Sequence, residues 1–218
     1  MSIGRPLIMA NGQARLAEAG DLLVTNERIS TLTTAGSGTI LAESIAAGIL
    51  RRTGPGAGFT DTFDSAANIL AALSGSPQTG FDPKQGTSWR FTYINGVAQA
   101  MTAAAGEGIV LGTNVNVAAS AIRTYLLTCL NDTARQVLTA NTTNASPTLT
   151  GLTSAQCDLI TAGMMISGSG ITAGTTVSAI NRLAGTVTMS GNATATATAV
   201  SLVFSPVINI SGLFAGTA

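Results

Sequence analysis

Polar and hydrophobic positions alternate with a period of two in many short stretches of this chain, as in strands that bury one face. In TSWRFTYI (87–94) the three aromatic side chains share one face, while Arg, Thr and Ile take the other. Gly- and Asn-rich turns separate these stretches, so the pattern predicts a mainly β fold. The predicted strands are DLLVTN (21–26), GTIL (38–41), TSWRFTYI (87–94), VAQAMTAAA (97–105), GIVLGTNVNVAA (108–119), AIRTYLLTCLN (121–131), MMIS (164–167), TTVSAI (175–180), GTVTMS (185–190), AVSLVF (199–204) and PVINISGLF (206–214).

One stretch, DSAANILAALSG (64–75), has helical periodicity instead. Asp64 is placed to cap its start and Gly75 to end it. Its apolar residues recur at i, i+3, i+4 and i+7, and they are Ala66, Ile69, Leu70 and Leu73. The preceding ESIAAGILRRTGP (43–55) allows a helix or a strand, because Ala and Leu favour a helix and Gly48 weakens it.

Asn95-Gly96 directly follows TSWRFTYI. This dipeptide is the strongest short signal for a two-residue hairpin turn. The sequence therefore predicts that VAQAMTAAA (97–105) returns to pair with TSWRFTYI.

The composition changes near residue 138, since only Asp158 and Arg182 are charged from there to Phe204. The change indicates a separate, small all-β module. Together with the strands and the helix described above, the sequence predicts an antiparallel β-sandwich or barrel-like domain with one short helix, this module and an extended N-terminal arm. The predicted boundaries are 1–44 for the arm with short strands, 45–137 for the main β domain, 138–204 for the Thr/Ala/Gly-rich module and 205–218 for a segment that could rejoin the main domain.

Charge is scarce: 9% of the residues are charged, the formal net charge is zero, and histidine is absent. Ordinary soluble domains are about 25% charged, so such a surface repels copies of itself weakly and favours a chain docked into a larger assembly. Without histidine, Ser-His-Asp and Cys-His nucleophilic pairs are excluded, and we expect no enzyme. We also expect no nucleic-acid partner, because there is no basic excess, and no membrane partner, because no apolar run reaches about 20 residues.

The stretch GSGITA (168–173) fits the dinucleotide-binding pattern G-x-G-x-x-G/A. That site needs a helix directly after the glycines, but Gly174 and the β-branched Thr175, Thr176 and Val177 follow here. No acidic residue follows Asp158 to bind a ribose. We therefore interpret the glycines as turns between strands and expect no cofactor.

Two aspartates, Asp61 and Asp64, lie close in sequence to Arg51 and Arg52. They could be an acid/base pair or a site for a hard cation. Capping alone accounts for Asp64, so a turn aspartate and a helix cap are the favoured interpretation. We expect no catalytic residue and no metal site.

The stripe Trp89, Phe91 and Tyr93 could stack on sugars or bases. The chain has only nine aromatic residues, so packing in the core is favoured. Cys129 and Cys157 are too few for a disulfide framework and are interpreted as isolated buried thiols. The N-terminus lacks the apolar core of a signal peptide, so we expect synthesis in a reducing host cytoplasm.

Several stretches resemble proteins of tailed-bacteriophage virions. AAGILRRTGPGAGFTDTFDSAANILAAL (46–73), GTSWRFTYING (86–96) and GEGIVLGTNVNVAASAIRTYLLT (106–128) follow a layout found in capsid decoration, or cement, proteins and related head fibres. In that layout a helix of the T-D-T…A-A-N type precedes a strand of the FRFxYIN type and a Gly-rich hairpin. GMMISGSGITAGTTVSAI (163–180) and GTVTMSGNATATATAVSLVF (185–204) are similar to small β-modules of phage head and tail proteins.

The resemblance implies a non-enzymatic virion protein on the capsid surface, with the major capsid protein as partner. It also implies a homotrimer that clamps neighbouring capsid subunits at quasi-threefold positions. Arginine is enriched at interfaces, so Arg51, Arg52 and Arg90 are the candidate contacts, and Ala at 51 and 52 should weaken attachment without unfolding the protein. The alternatives are a tail-fibre, collar or baseplate component and a receptor-binding adhesion module.

Overall fold

The computed structural model describes residues 7–10, 13–16, 28–74 and 82–217. The predicted mainly β fold is confirmed. The strands are β1 (Leu7–Ala10), β2 (Gln13–Leu16), β3 (Arg28–Leu32), β4 (Gly38–Ile40), β5 (Gly48–Arg52), β6 (Phe59–Phe63), β7 (Ser88–Asn95), β8 (Met101–Ala104), β9 (Ile109–Leu111), β10 (Ala121–Asn131), β11 (Gln136–Thr142), β12 (Thr148–Leu149), β13 (Met165–Gly168), β14 (Val177–Asn181), β15 (Thr186–Met189), β16 (Ala197–Ser205) and β17 (Val207–Thr217). The described helices are α1 (Ala42–Ala47), α2 (Ala66–Ser74) and α3 (Ser154–Cys157).

Two sheets form the larger unit: a six-stranded central sheet in the order β3-β5-β7-β10-β17-β9, and a three-stranded sheet, β4-β6-β8. From β3 to β8 the chain alternates between these sheets, so successive strands of one sheet are joined by a crossover through the other. Crossover connections make neighbouring strands parallel, and β3, β5 and β7 are indeed parallel, as are β4, β6 and β8. The central sheet is therefore mixed, with antiparallel pairs where β10 meets β7 and β17.

One hydrophobic core joins these two sheets with α1 and α2. Phe63 of the smaller sheet meets Tyr125 of the central sheet edge-on, with ring centroids 5.5 Å apart. Phe91 stacks on Tyr125 at 6.0 Å. The predicted inward faces of β7 and β10 are confirmed, since Phe91, Tyr93 and Tyr125 are buried and Trp89 packs partly buried against the same core.

The predicted hairpin at Asn95-Gly96 is wrong. β8 pairs with β6 in the smaller sheet, and β7 lies between β5 and β10. The Asn95 side chain is buried, and its Nδ2 donates to the carbonyls of Gln99 at 2.7 Å and Ala118 at 2.8 Å. This amide holds the loop that carries the chain across to the other sheet.

Residues 43–55 contain both of the structures that the sequence allowed. The helix α1 ends at Ala47 and is followed by its capping residue Gly48, whose φ is +94°. The strand β5 begins at Gly48. A positive φ is accessible to glycine at little cost. Gly48 therefore serves as the junction between the helix and the strand.

The helix predicted from residue 64 is present as α2, with its four periodic apolar residues buried. Its cap lies one residue later than predicted, because Ser65 Oγ accepts from the amide of Asn68 at 3.2 Å. Asp64 instead accepts from the amides of Ser65 at 2.7 Å and Ala42 at 3.1 Å, so it ties α2 to α1. Gly75 and the predicted strand 21–26 lie outside the described residues.

The smaller unit consists of two antiparallel three-stranded sheets, β11-β16-β13 and β12-β15-β14, around a separate core. Val187, Met189, Leu202 and Phe204 are buried there, as their alternation predicted. After β16 the chain enters β17, which lies between β10 and β9 of the central sheet. The module is thus connected at both ends to the larger unit.

Candidate functional site

The three candidate arginines lie on two neighbouring strands of the central sheet. On β5, Arg52 points inward beside Leu50, and Arg51 points outward. On β7, Arg90 is exposed on the same side as Arg51. Both side chains are therefore exposed, and their role as contacts with a partner remains a prediction.

The prediction of a surface contact is wrong for Arg52, whose side chain is completely buried. Its Nε donates to Oδ2 of Asp61 at 2.9 Å, and its guanidinium lies 4.9 Å from the ring centroid of Phe59. Nη1 donates to the carbonyl of Thr34 at 2.7 Å, and Nη2 donates to that of Gly36. Arg52 therefore joins β5, β6 and the loop before β4, and Ala at this position would leave the buried Asp61 carboxylate without its cationic partner.

Asp61 is also completely buried, and its carboxylate is well satisfied. Besides the bond from Arg52, Oδ2 accepts from the Tyr93 hydroxyl at 2.6 Å and Oδ1 accepts from the Gly38 amide at 2.9 Å. Burial and the hydrogen bond to Asp61 raise the pKa of Tyr93, which keeps the phenol protonated as a donor. The prediction of a turn aspartate is wrong, because Asp61 is the central residue of β6. Its contacts are those of a buried structural carboxylate.

The outer face of the central sheet is a large surface that no described element buries. Side chains of directly paired residues lie on the same face, and the strand registers place them in rows across the sheet. All of these side chains are exposed or half-buried. We call this surface the open face, and its residues are Ile29, Thr31, Ile49, Arg51, Ser88, Arg90, Thr92, Ile94, Val110, Ile122, Thr124, Leu126, Thr128, Asn209, Ser211 and Phe214.

The open face is apolar and threonine-rich. Ile29 and Phe214 are 62% and 64% exposed, which is high for side chains of this size. Hydroxyls of facing strands pair with each other, as in Thr92 with Thr124 at 3.3 Å and Ser88 with Thr128 at 2.9 Å. Exposed apolar side chains grouped on one face are typical of interaction sites.

A groove with a volume of about 510 Å³ crosses one end of the open face. Gly96 closes its end, with its amide bonded to the Arg52 carbonyl at 3.0 Å. A Cβ at Gly96 would lie 3.0 Å from that carbonyl oxygen and 3.6 Å from Arg51 Nε, so glycine permits the close approach. The lining residues are Ile29, Thr31, Arg51, Ile94, Gly96, Ser120 and Ile122.

The open face is positively charged. None of the six strands of the central sheet contains Asp or Glu. Arg52 on the inner face is neutralised by Asp61, whereas Arg51 and Arg90 form no ion pair with any residue that the structure describes. Sequence reasoning did not identify the groove. Its signal was present only for Ile94, which shares the second face of TSWRFTYI with Arg and Thr, whereas Ile29 and Ile122 lie on other strands.

A second polar cluster lies where the two units meet. Arg135 Nε donates to Glu107 Oε1 at 2.5 Å, and Ser205 Oγ donates to the same oxygen at 2.6 Å. The Arg135 guanidinium and the Ser205 hydroxyl hold the pKa of Glu107 below its ordinary value. This cluster connects the loop before β9 with Arg135, which directly precedes β11, and with Ser205, the last residue of β16.

The glycines of GSGITA form a turn between β13 and β14, where Gly168 and Gly170 have φ of +148° and +75°. The predicted turn between strands is confirmed. Cys129 and Cys157 are free and buried in different cores, as predicted. Burial raises the pKa of both thiols.

Within residues 7–10, 13–16, 28–74 and 82–217, no three Cys, Asp or Glu side chains are placed to share a metal ion. Across the same residues, every helix is too short or too polar to cross a bilayer. No protein-family model matches this chain, and comparisons with curated proteins and with solved structures also found no match. What the protein does is therefore inferred from its own geometry and sequence motifs.

Proposed function

We propose that this chain is a non-enzymatic structural protein of a bacteriophage virion, a decoration protein that binds the outer surface of the head. In this role it holds neighbouring capsid subunits together. The observation that carries the proposal is the open face, a broad sheet surface of apolar and threonine side chains with very few charges. Such a surface suits permanent attachment to another protein.

The size of the open face supports this role. Six strands about 4.8 Å apart span about 24 Å, and stable interfaces bury on the order of 800 Å² on each partner. A single face of this size provides part of that area. Several copies acting together would supply the rest, because linked sites gain avidity without new contacts.

Because of the sequence resemblance, we propose attachment to the head surface in preference to other sites on the virion. Its first three stretches, which resemble capsid decoration proteins, contain β5, β7, β9 and most of β10 of the central sheet. The stretches shared with both head and tail proteins lie in the small module. We therefore assign the attachment to the central sheet.

The test is co-sedimentation of the purified protein with empty, tailless heads assembled from the major capsid protein of the same genome. Saturable binding to these heads is expected. Binding to isolated tails with none to heads would overturn the proposal in favour of a tail component. Light scattering on a sizing column should give three times the 21.7 kDa chain mass, as expected for a homotrimer.

A further inference from the structure

The groove at the end of the open face has an aliphatic floor and one cationic side. Ile29, Ile94 and Ile122 supply the aliphatic side chains. The strand register places Thr31, Arg51, Ile94 and Ile122 side by side in one row across β3, β5, β7 and β10. From β3 to β10 the groove crosses three strand spacings, about 14 Å, which is the length of about four extended residues. An extended stretch of polypeptide fits this shape.

The arginines of the open face differ from the other exposed cations. Lys84 pairs with Asp82 at 3.0 Å and Arg182 pairs with Asp158 at 2.6 Å. Arg135 likewise pairs with a carboxylate, at 2.5 Å. Among the exposed cations whose side chains the structure describes, those without a carboxylate are Arg51 and Arg90, and both lie on the open face.

This distribution of charge indicates which kind of partner the groove would bind. Two copies of the open face packed together would bring arginines against arginines, and like charges across an interface are unfavourable. A carboxylate beside Arg51 would complete a charge-assisted pair with bidentate geometry. Aliphatic neighbours of that carboxylate would bury the groove isoleucines at the same time.

We propose that the groove binds a short extended segment of a capsid subunit that presents a carboxylate to Arg51 and aliphatic side chains to Ile94 and Ile122. The identity of the partner rests on the proposed function. The chemistry of the segment rests on the groove itself. The same groove then decides which part of the capsid surface the protein recognises.

The first test measures binding of charge-reversed full-length variants to tailless heads. Arg51→Glu should weaken binding at least tenfold, and Arg90→Glu, outside the groove, should weaken it less. Arg182→Glu reverses an exposed arginine of the small module and is the matched control, with binding within twofold of wild type. Wild-type affinity for heads with Arg51→Glu would overturn the proposal.

The second test does not need heads. The probe is a synthetic decapeptide of alternating valine and glutamate, and the control replaces each glutamate by lysine. In backbone amide NMR spectra of the full-length protein, the acidic peptide should shift signals of residues 31, 51, 94 and 122, while the lysine peptide leaves them unchanged. Equal shifts from both peptides, or from neither, would contradict the inference.

The two tests fail in different ways. If heads are not bound but the acidic peptide maps to the groove, the proposed function is wrong and the groove chemistry stands. If Arg51→Glu lowers the solution mass and leaves head binding unchanged, the occupant is a second copy and the capsid segment is excluded.

Discussion

Nε of Arg52 lies 2.9 Å from Oδ2 of Asp61, and neither side chain has any exposure to solvent. Arg52 belongs to β5 of the central sheet and Asp61 to β6 of the smaller sheet, so the ion pair crosses the core between them. The same guanidinium donates to the carbonyls of Thr34 and Gly36. This pair therefore couples the packing of the two sheets to the path of the chain between β3 and β4.

Removal of one partner should strongly destabilise the fold, because it leaves a buried charge without compensation. Arg52→Leu is expected to lower the free energy of unfolding by about 3–5 kcal/mol, measured by urea denaturation. The exposed pair of Arg182 and Asp158 provides the control. Arg182→Leu should change the stability by less than about 1 kcal/mol, and a similar loss in both variants would contradict the importance of burial.

The hydroxyl of Tyr93 should contribute more to stability than that of Tyr125. Tyr93 donates to the buried Asp61 carboxylate at 2.6 Å, whereas Tyr125 donates to the neutral carbonyl of Val115 at 2.7 Å. Hydrogen bonds to charged groups are stronger than those to neutral ones. We expect Tyr93→Phe to cost about 2–3 kcal/mol and Tyr125→Phe about 1 kcal/mol, and chemical denaturation of both variants measures this order.

Glu107 should make the stability depend on pH in the acidic range. Its pKa in the folded state is lowered below the ordinary value of 4.5, mainly by the Arg135 hydrogen bond. A lowered pKa stabilises the fold above the unfolded-state value, and this contribution is lost as the pH falls through the folded-state value. Glu107→Gln should therefore flatten the loss of stability below about pH 5.

The effect of Glu107 should be modest, since its side chain is 29% exposed and that of Arg135 is 40% exposed. After allowance for solvent screening, we expect about 1 kcal/mol at pH 7. Unfolding curves at several pH values compare wild type with Glu107→Gln. Ser205→Ala keeps the ion pair and should show an intermediate slope, whereas identical slopes in all three proteins would refute the role of Glu107.

Two glycines of the small module provide a matched test of backbone strain and crowding. Gly174 and Gly185 have φ of +82° and +62°, but a Cβ at Gly174 meets nothing within 4 Å. At Gly185 it would lie 2.1 Å from the carbonyl oxygen of Leu152. We expect Gly174→Ala to cost about 1 kcal/mol from the left-handed backbone alone, and Gly185→Ala about 3 kcal/mol because the Leu152 loop must also move. Thermal unfolding of the two variants should separate them clearly.

The orientation of side chains on the strands could be read from the sequence. Phe91 and Tyr93 are buried on β7, as are Val187 and Met189 on β15, because alternation by itself decides which side chains share a face. The helix α2 was predicted for a similar reason, since its apolar positions repeat at the helical period. These features depend on a few neighbouring residues.

The candidate site was predicted only in part. Arg51 and Arg90 were identified as surface arginines, but Arg52 was placed on the surface as well. In the stretch Ile49–Arg52, each face of the strand receives one aliphatic residue and one arginine. Local alternation therefore could not identify the buried face, and Asp61, the partner that permits the burial of Arg52, lies on another strand.

Local patterns in the sequence thus determined the mainly β class, the buried residues of single strands and the start of α2 to within one residue. Only the tertiary structure decided that strands from β3 to β8 alternate between two sheets, that Asn95-Gly96 leads across the core and that Arg52 is internal. The physical reason is that alternation and capping involve residues close along the chain. Strand pairing and the compensation of a buried charge depend on residues that meet only when the chain folds.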